Sequence, residues 1–172
     1  MKTRGEKQTF YKGLKERLNR ESRSDLLRFT LSTMPTFRPA DFHRRYYKVL
    51  TDFADGKIRK LMVFMPPQHG KSEGSTRRLP AFLLGKNPDN KLAIVSYNAP
   101  KARKFNREIQ RIIDSPEYHD IFPETALNAS NVTTVAGSWL RNADECEIVG
   151  FRGGFKTVGV GGALTGDRKS VV

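Results

Sequence analysis

The sequence predicts an α/β fold, a mostly parallel sheet with flanking helices, and three observations carry that prediction. Two short apolar runs, KLMVFM from Lys60 to Met65 and KLAIVSY from Lys91 to Tyr97, have the length and character of buried strands. Each run is followed by a segment whose apolar residues recur at helical spacing, and strand alternating with helix implies parallel strands joined by helical crossovers. Towards the end the pattern changes to short β-like runs separated by glycines: NVTTVAG, ECEIVGF and FKTVGVGG. These extend the sheet as a hairpin or meander.

In chain order, residues 1–36 form a charged zone with Leu14, Leu18, Leu26, Leu27 and Leu31 at roughly helical intervals, read as a basic helical arm that ends at the prolines of TMPTFRP. The remainder, 37–172, is read as one domain. Phe42, Tyr46, Val49, Leu50 and Phe53 recur every three or four residues, which places them on one helical face closed by Asp55-Gly56. After the first apolar run, SEGSTRRLPAFLLG is expected to be helical, with Pro80 kinking it or ending its first part. The turn NPDN introduces the second run. In APKARKFNREIQRIID, residues Ala102, Phe105, Ile109, Ile112 and Ile113 share one face, while Lys101, Arg103, Lys104, Arg107 and Arg111 lie largely on the other.

Composition narrows the classes of function. The chain has 172 residues and a formal charge of +13, an excess of cations that attracts polyanions and nucleic acid above all. Cys146 is the only cysteine, so neither an intrachain disulfide nor a CxxC zinc site is available, as befits a reducing cytoplasm. The N-terminus has no apolar signal core, and no run is long enough to cross a bilayer.

The segment MPPQHGKS, Met65 to Ser72, carries the most specific chemistry. A strand-to-helix loop that cradles phosphates needs glycine where backbone N–H groups approach the ligand. It also needs a lysine for the β- and γ-phosphates and a hydroxyl for Mg²⁺. Gly70, Lys71 and Ser72 stand in that register, while Met65 holds the place of the usual first glycine and Pro66-Pro67 shape the entry by fixing φ. Lys71 is therefore the candidate for phosphate neutralisation and Ser72 for the metal contact. The N–H groups of Gln68, His69, Gly70, Lys71 and Ser72 form the anion nest, with Pro67 at its entry. The side chains of Gln68 and His69 either reach phosphate or point to solvent. Glu73 follows in the first helical turn, where a carboxylate suits the helix dipole. Lys86 is read as an exposed lysine with no part in the site.

With these residues in view, the chain resembles the large subunit of tailed-bacteriophage terminase, the ATP-driven motor that packages viral DNA. The likeness rests on FHRRYYKVL, MPPQHGKSE as a divergent Walker A loop, IVSYNAPKARKFNREIQRIID, SPEYHDIFPE and VGVGGALTGDR, from about Phe37 to Arg168. It implies a P-loop NTPase of the additional-strand class, with ATP and Mg²⁺ as cofactors. The implied partners are double-stranded DNA, a portal protein, the small terminase subunit and further copies of the chain in the assembled motor. It also implies adenine recognition near His43, Arg44 and Tyr46, and a candidate arginine finger in Arg77 or Arg78, for which a solvated helix face is the plainer reading.

The resemblance further leads one to expect an apolar Walker B strand ending in paired acids after GALTGDR, where the sequence reads KSVV, and then a nuclease domain. The chain is accordingly read as a fragment, truncated before the Walker B strand, with weak or no hydrolysis. Asp144, Glu145 and Glu147 sit in a polar segment, and Asp52 and Asp55 precede the loop, so none has the setting of such a pair. Three features stay open. The glycines of RGGFKTVGVGGALTGDR either turn beside the site or make a surface hairpin. Trp139 is a hairpin anchor or a base-stacking platform, and the basic face from Lys101 to Arg111 is a DNA track or a solvated surface. A helicase-like or other P-loop ATPase, or a noncatalytic basic DNA-binding module, are the alternative functions.

Overall fold

A computed structural model describes residues 4–132, 138–161 and 170–171. Helices α1 (Arg4–Ser24), α2 (Leu26–Thr33) and α3 (Asp41–Ala54) come first. A π-helical turn (Glu73–Arg78) then runs into α4 (Leu79–Lys86), followed by β1 (Lys91–Ser96), α5 (Ala99–Ile113), α6 (Pro116–Ile121), β2 (Glu145–Glu147), β3 (Gly154–Gly159) and the two-residue β4 (Ser170–Val171).

Local chemistry explains most of these boundaries. The charged arm is two helices because Asp25 turns extended and caps α2, its carboxylate accepting the Arg28 N–H at 2.7 Å. Asn98 caps α5 in the same way through the Lys101 N–H, with Pro100 in the first turn, where the absence of its N–H costs nothing. Gly56, at φ +75°, supplies the left-handed residue that lets the chain leave α3. The arm is integral to the fold. Leu26 and Phe29 are buried, and α1 is tied to α6 by Arg23 Nε donating to the Ile121 carbonyl at 2.6 Å and by the Lys15–Asp120 ion pair at 2.7 Å.

The sheet is small and mixed, ordered β2-β3-β1-β4. β1 pairs parallel with β3 and β4, and β2 runs antiparallel to β3. α5 makes the crossover from β1 towards β3 and buries the apolar face read from its sequence, Ala102, Phe105, Ile109, Ile112 and Ile113. An aromatic cluster of Phe29, Phe82, Tyr118 and Phe122, with ring centroids 5.4–6.2 Å apart, joins α2, α4 and α6. Its packing leaves no room beyond hydrogen at Gly85, where a Cβ would lie 2.3 Å from the Phe122 ring.

This architecture corrects the expected fold class. The described chain is predominantly helical around a small mixed sheet, not the mostly parallel sheet of a P-loop NTPase. The difference lies in Leu61–Met65. The segment does alternate, with Leu61, Val63 and Met65 packed against the core and Met62 and Phe64 turned outward, 80% and 85% exposed. It nevertheless joins no ladder among the described residues. Alternation selects which side chains turn inward, but a strand exists only when a neighbour takes up its backbone groups, and β1 has β3 and β4 as its neighbours.

The helix after the loop changes character at the expected place. The π-helical part ends at Arg78 and α4 begins at Leu79, so the backbone widens just ahead of Pro80. The Leu79 N–H reaches five residues back to the Gly74 carbonyl. Pro80 has no N–H to donate and its ring crowds the carbonyl four residues earlier, so a π-turn relieves both problems while keeping the rod continuous. The middle of NVTTVAG (133–137) and the glycine-rich GALTGDR beyond Gly161 lie outside the described residues. So the expectations for Gly162, Thr165 and Gly166 fall there too.

Candidate functional site

The loop from Pro66 to Ser72 lies against α3 and opens directly into the helix of the π-turn and α4. After the two prolines, Gln68 at φ +63° is the one non-glycine residue with positive φ among the described residues, and Gly70 follows at φ +74°. Two left-handed residues separated by one other give the backbone a sharp reversal, strained for Gln68 and cheap for Gly70. His69 Nδ1 donates to the Pro67 carbonyl at 2.7 Å and closes the reversal from within. The first helical bond runs from the Gly74 N–H to the Gly70 carbonyl at 3.1 Å. The N–H groups of Lys71, Ser72 and Glu73 therefore precede the helical ladder, at its electropositive end.

α3 holds this loop from below. The Tyr46 hydroxyl donates to the Lys71 carbonyl at 2.8 Å, and Ser75 Oγ donates to the same oxygen at 2.9 Å. Burial raises the Tyr46 hydroxyl above its ordinary value, which keeps it protonated as a donor. The helix passes so close that a Cβ on Gly74 would stand 2.7 Å from the Tyr46 ring and 3.2 Å from Leu50. Tyr46 thus serves as core and as loop support together. His43, one turn earlier on α3, faces Gly70, and Phe42 stacks between His43 and His69, with centroid distances of 3.9 and 5.7 Å.

The candidate residues divide into two sets. Lys71 is exposed, and no carboxylate of the described residues pairs with it; Ser72 is half-buried beside it. Gln68, His69, Gly70, Lys71 and Ser72 are together, with His43 across the loop. Behind them lies a closed ion network. Glu73 accepts from Arg78 Nε at 2.7 Å and from Arg77 at 3.2 Å; Arg77 Nε also donates to Glu108 on α5 at 2.6 Å; and Arg78 donates to Thr33 Oγ1 on α2 at 2.8 Å. Arg77 in addition lies over the Phe105 ring at 5.4 Å. Neither arginine occupies a solvated helix face, and neither is free to extend towards a neighbouring molecule without breaking these pairs. The wider register of the π-turn brings positions i+4 and i+5 together onto Glu73, a convergence invisible in the sequence.

Other expectations meet a simpler structure. Lys86 is not without a role: its ammonium pairs with Asp55 at 2.5 Å and lies over the Phe82 ring at 5.5 Å, tying α4 to the end of α3. Asp144 pairs with Arg103 at 2.8 Å, Glu147 accepts the Leu140 N–H, and Asp52 pairs with Lys48 and Lys57. The Cys146 thiol is buried, and that burial pushes it up to about 12, so it is inert at neutral pH. No group of three or more His, Cys, Asp or Glu side chains stands together among the described residues. Mg²⁺ is commonly held by one or two carboxylates together with phosphate oxygens and water; at the head of this helix stands the Ser72 hydroxyl, while the neighbouring Glu73 carboxylate is engaged by Arg77 and Arg78. A depression of about 870 Å³ along α1, lined by Gly5, Phe10, Gly13 and Leu14 among others, includes none of the loop residues.

No helix among the described residues is long and apolar enough to cross a membrane. Comparison with known proteins finds no matching family model, no matching curated protein and no matching solved structure.

Proposed function

We propose that the loop from Pro66 to Ser72 binds the phosphates of ATP with Mg²⁺, and that the chain is the nucleotide-binding part of a terminase large subunit acting on double-stranded DNA. The observation that carries this reading is the conjunction at Gly70-Lys71-Ser72. A backbone reversal with positive φ at Gln68 and Gly70 ends in a helix N-terminus, and beside it stands an exposed lysine that no carboxylate among the described residues pairs with. The reading rests on this loop and on the resemblance of MPPQHGKSE, not on a sheet of the expected class.

In this assignment the N–H groups of Lys71, Ser72 and Glu73 donate to phosphate oxygens, Lys71 neutralises charge, and Ser72 offers its hydroxyl to Mg²⁺. Mg²⁺ would supply charge compensation for the phosphates. Tyr46 holds the loop backbone from the carbonyl side, so the N–H groups are oriented before ligand arrives. Arg77 and Arg78 keep the Glu73 carboxylate turned back into their network, away from the incoming polyanion. DNA would lie on the exposed Lys104, Arg107 and Arg111 of α5. A portal protein, a small subunit and further copies of the chain would complete the motor in the host cytoplasm.

Titration calorimetry with Mg-ATP tests the loop. Wild-type binding that is lost in Lys71→Ala supports it, and equal affinities of the two proteins remove it. The basic face of α5 favours a second reading, a noncatalytic DNA-binding module, which predicts salt-sensitive duplex binding with no nucleotide affinity. Duplex unwinding dependent on ATP would favour a helicase-like ATPase instead.

A further inference from the structure

We infer that His43 is a phosphate ligand of this loop, donating through Nε2–H to an oxyanion bound beside Gly70. The inference deepens the nucleotide reading and rests on it.

The tautomer is set by the backbone. His43 Nδ1 accepts the Ala40 N–H at 3.1 Å, which closes one half of a capping box at the start of α3; Ala40 has no side-chain oxygen to return the bond. A nitrogen that accepts from an N–H carries no proton, so the neutral ring holds its hydrogen on Nε2. The ring is also held in place. Phe42 covers one flat face at a centroid distance of 3.9 Å, and Phe37 meets it edge-on at 5.2 Å.

So oriented, the Nε2 edge faces the loop. Nε2 stands 3.2 Å, and Cδ2 3.6 Å, from where a Cβ on Gly70 would be. No hydrogen-bond acceptor among the described residues meets Nε2, and the Gly70 carbonyl is already engaged by the Gly74 N–H. A donor with a fixed tautomer and a held ring therefore lies against Gly70, the residue immediately before the Lys71 and Ser72 N–H groups that precede the helical ladder. Donors gathered at one loop without an acceptor suit an oxyanion, and the phosphate chain of a nucleotide is that ligand here. With Phe42 on its face, His43 meets the ligand by its edge, which suits a phosphate oxygen better than a stacked base.

The test uses calorimetry with two probes, Mg-ATP and Mg-tripolyphosphate, on the wild type, Lys71→Ala and His43→Asn. Asparagine keeps a short acceptor for the Ala40 N–H and removes the Nε2 donor. The expected result is a loss of affinity of roughly tenfold or more for both probes in His43→Asn, as for a hydrogen bond to a charged group. Unchanged affinity for both probes overturns the inference. A loss with Mg-ATP alone assigns His43 to the base and overturns it as well. If His43→Asn does not fold, the wild type carries the test: the imidazole Nε2–H resonance must shift on adding tripolyphosphate, and an unmoved resonance at saturation rejects the contact. Wild-type protein that binds neither probe removes the nucleotide reading itself, and this assignment with it. Lys71-dependent binding indifferent to His43 removes this assignment alone.

Discussion

The hydroxyl of Tyr46 donates to the main-chain carbonyl of Lys71 at 2.8 Å, so the residue whose side chain would neutralise phosphate is held by its backbone from the helix beneath. The sequence places Tyr46 on the apolar face of α3, and the structure gives it the second task at its tip. An aromatic ring in the core with a polar end at the surface of the core can do both.

Tyr46→Phe keeps the ring and removes the bond. The expected cost is about 1 kcal/mol, a fall in melting temperature of roughly 2–4 °C for a chain of this size. Nucleotide affinity should drop by more than the change in stability explains, because the loop is less well oriented. Thermal melts alongside calorimetry measure both. Equal affinity in the two proteins would detach Tyr46 from the loop's function.

Gly74→Ala should be worse. Its Cβ meets the Tyr46 ring at 2.7 Å and Leu50 at 3.2 Å, so the helix must move away from α3, an overpacking cost of about 1–3 kcal/mol. Urea denaturation reads the loss, and Ser75→Ala, which removes only the bond from a half-buried hydroxyl to the Lys71 carbonyl, is the milder comparison. A Gly74→Ala protein as stable as wild type would show that the helix and α3 are not tightly apposed.

Within the ion network, Glu73 is the shared partner, and among the described residues Glu108 pairs with Arg77 alone. Glu73→Ala leaves Arg78, whose side chain is 10% exposed, without its carboxylate. Removing one partner of a buried pair costs about 3–5 kcal/mol, and partial exposure places this site at or below the lower end. Glu108→Ala should cost less than Glu73→Ala in chemical denaturation; the reverse order would mean that Arg77 is the principal anchor.

Acid should loosen the end of α3. Asp55 lies below its ordinary 3.8, first because Lys86 donates to it and also because Lys57 does, against an opposing desolvation. A carboxyl depressed in the folded state stabilises above its unfolded value. That contribution is lost as pH falls from about 4 through the lower folded value. Melting temperature should therefore fall between about pH 4 and the acid limit of folding by less in Asp55→Asn than in wild type. Parallel curves would exclude the pair as a source of acid sensitivity. For the same reason Lys86 is a poor neutral control for Lys71→Ala, and Lys104, which makes no ion pair among the described residues, is a better one.

On DNA, Arg107 and Lys104 should matter more than Arg103, whose guanidinium is held by Asp144 through two bonds of 2.8 and 3.2 Å. Each phosphate contact contributes roughly 0.9 to the slope of log affinity against log salt on duplex DNA. Arg107→Glu should flatten that slope in fluorescence anisotropy more than Arg103→Glu does. A slope indifferent to both substitutions would make α5 a solvated or subunit-facing helix.

Much of the local structure was legible because it depends on residues near one another in the chain. The apolar spacing of α3 and α5, the strand at KLAIVS and the Gly70-Lys71-Ser72 register each follow from side-chain periodicity or turn chemistry within a few residues. What the tertiary structure decided depends on partners far away in sequence. Leu61–Met65 has the alternation of a strand and no ladder, because pairing is a property of two segments. Arg77 and Arg78 read as exposed or catalytic cations until Glu108 and Thr33, some thirty and forty-five positions away, close on them. Lys86 found Asp55 in the same way, and His43 acquired a direction only when α3 was laid under Gly70. The sequence alone therefore determined the helical character of the arm, of α3, of α4 and of α5, and which residues are candidates for phosphate binding, while the short α6 was not legible there. The fold determined which of those residues remain unpaired, since the energy of burying a charge or a backbone group is settled only by the partner brought to it.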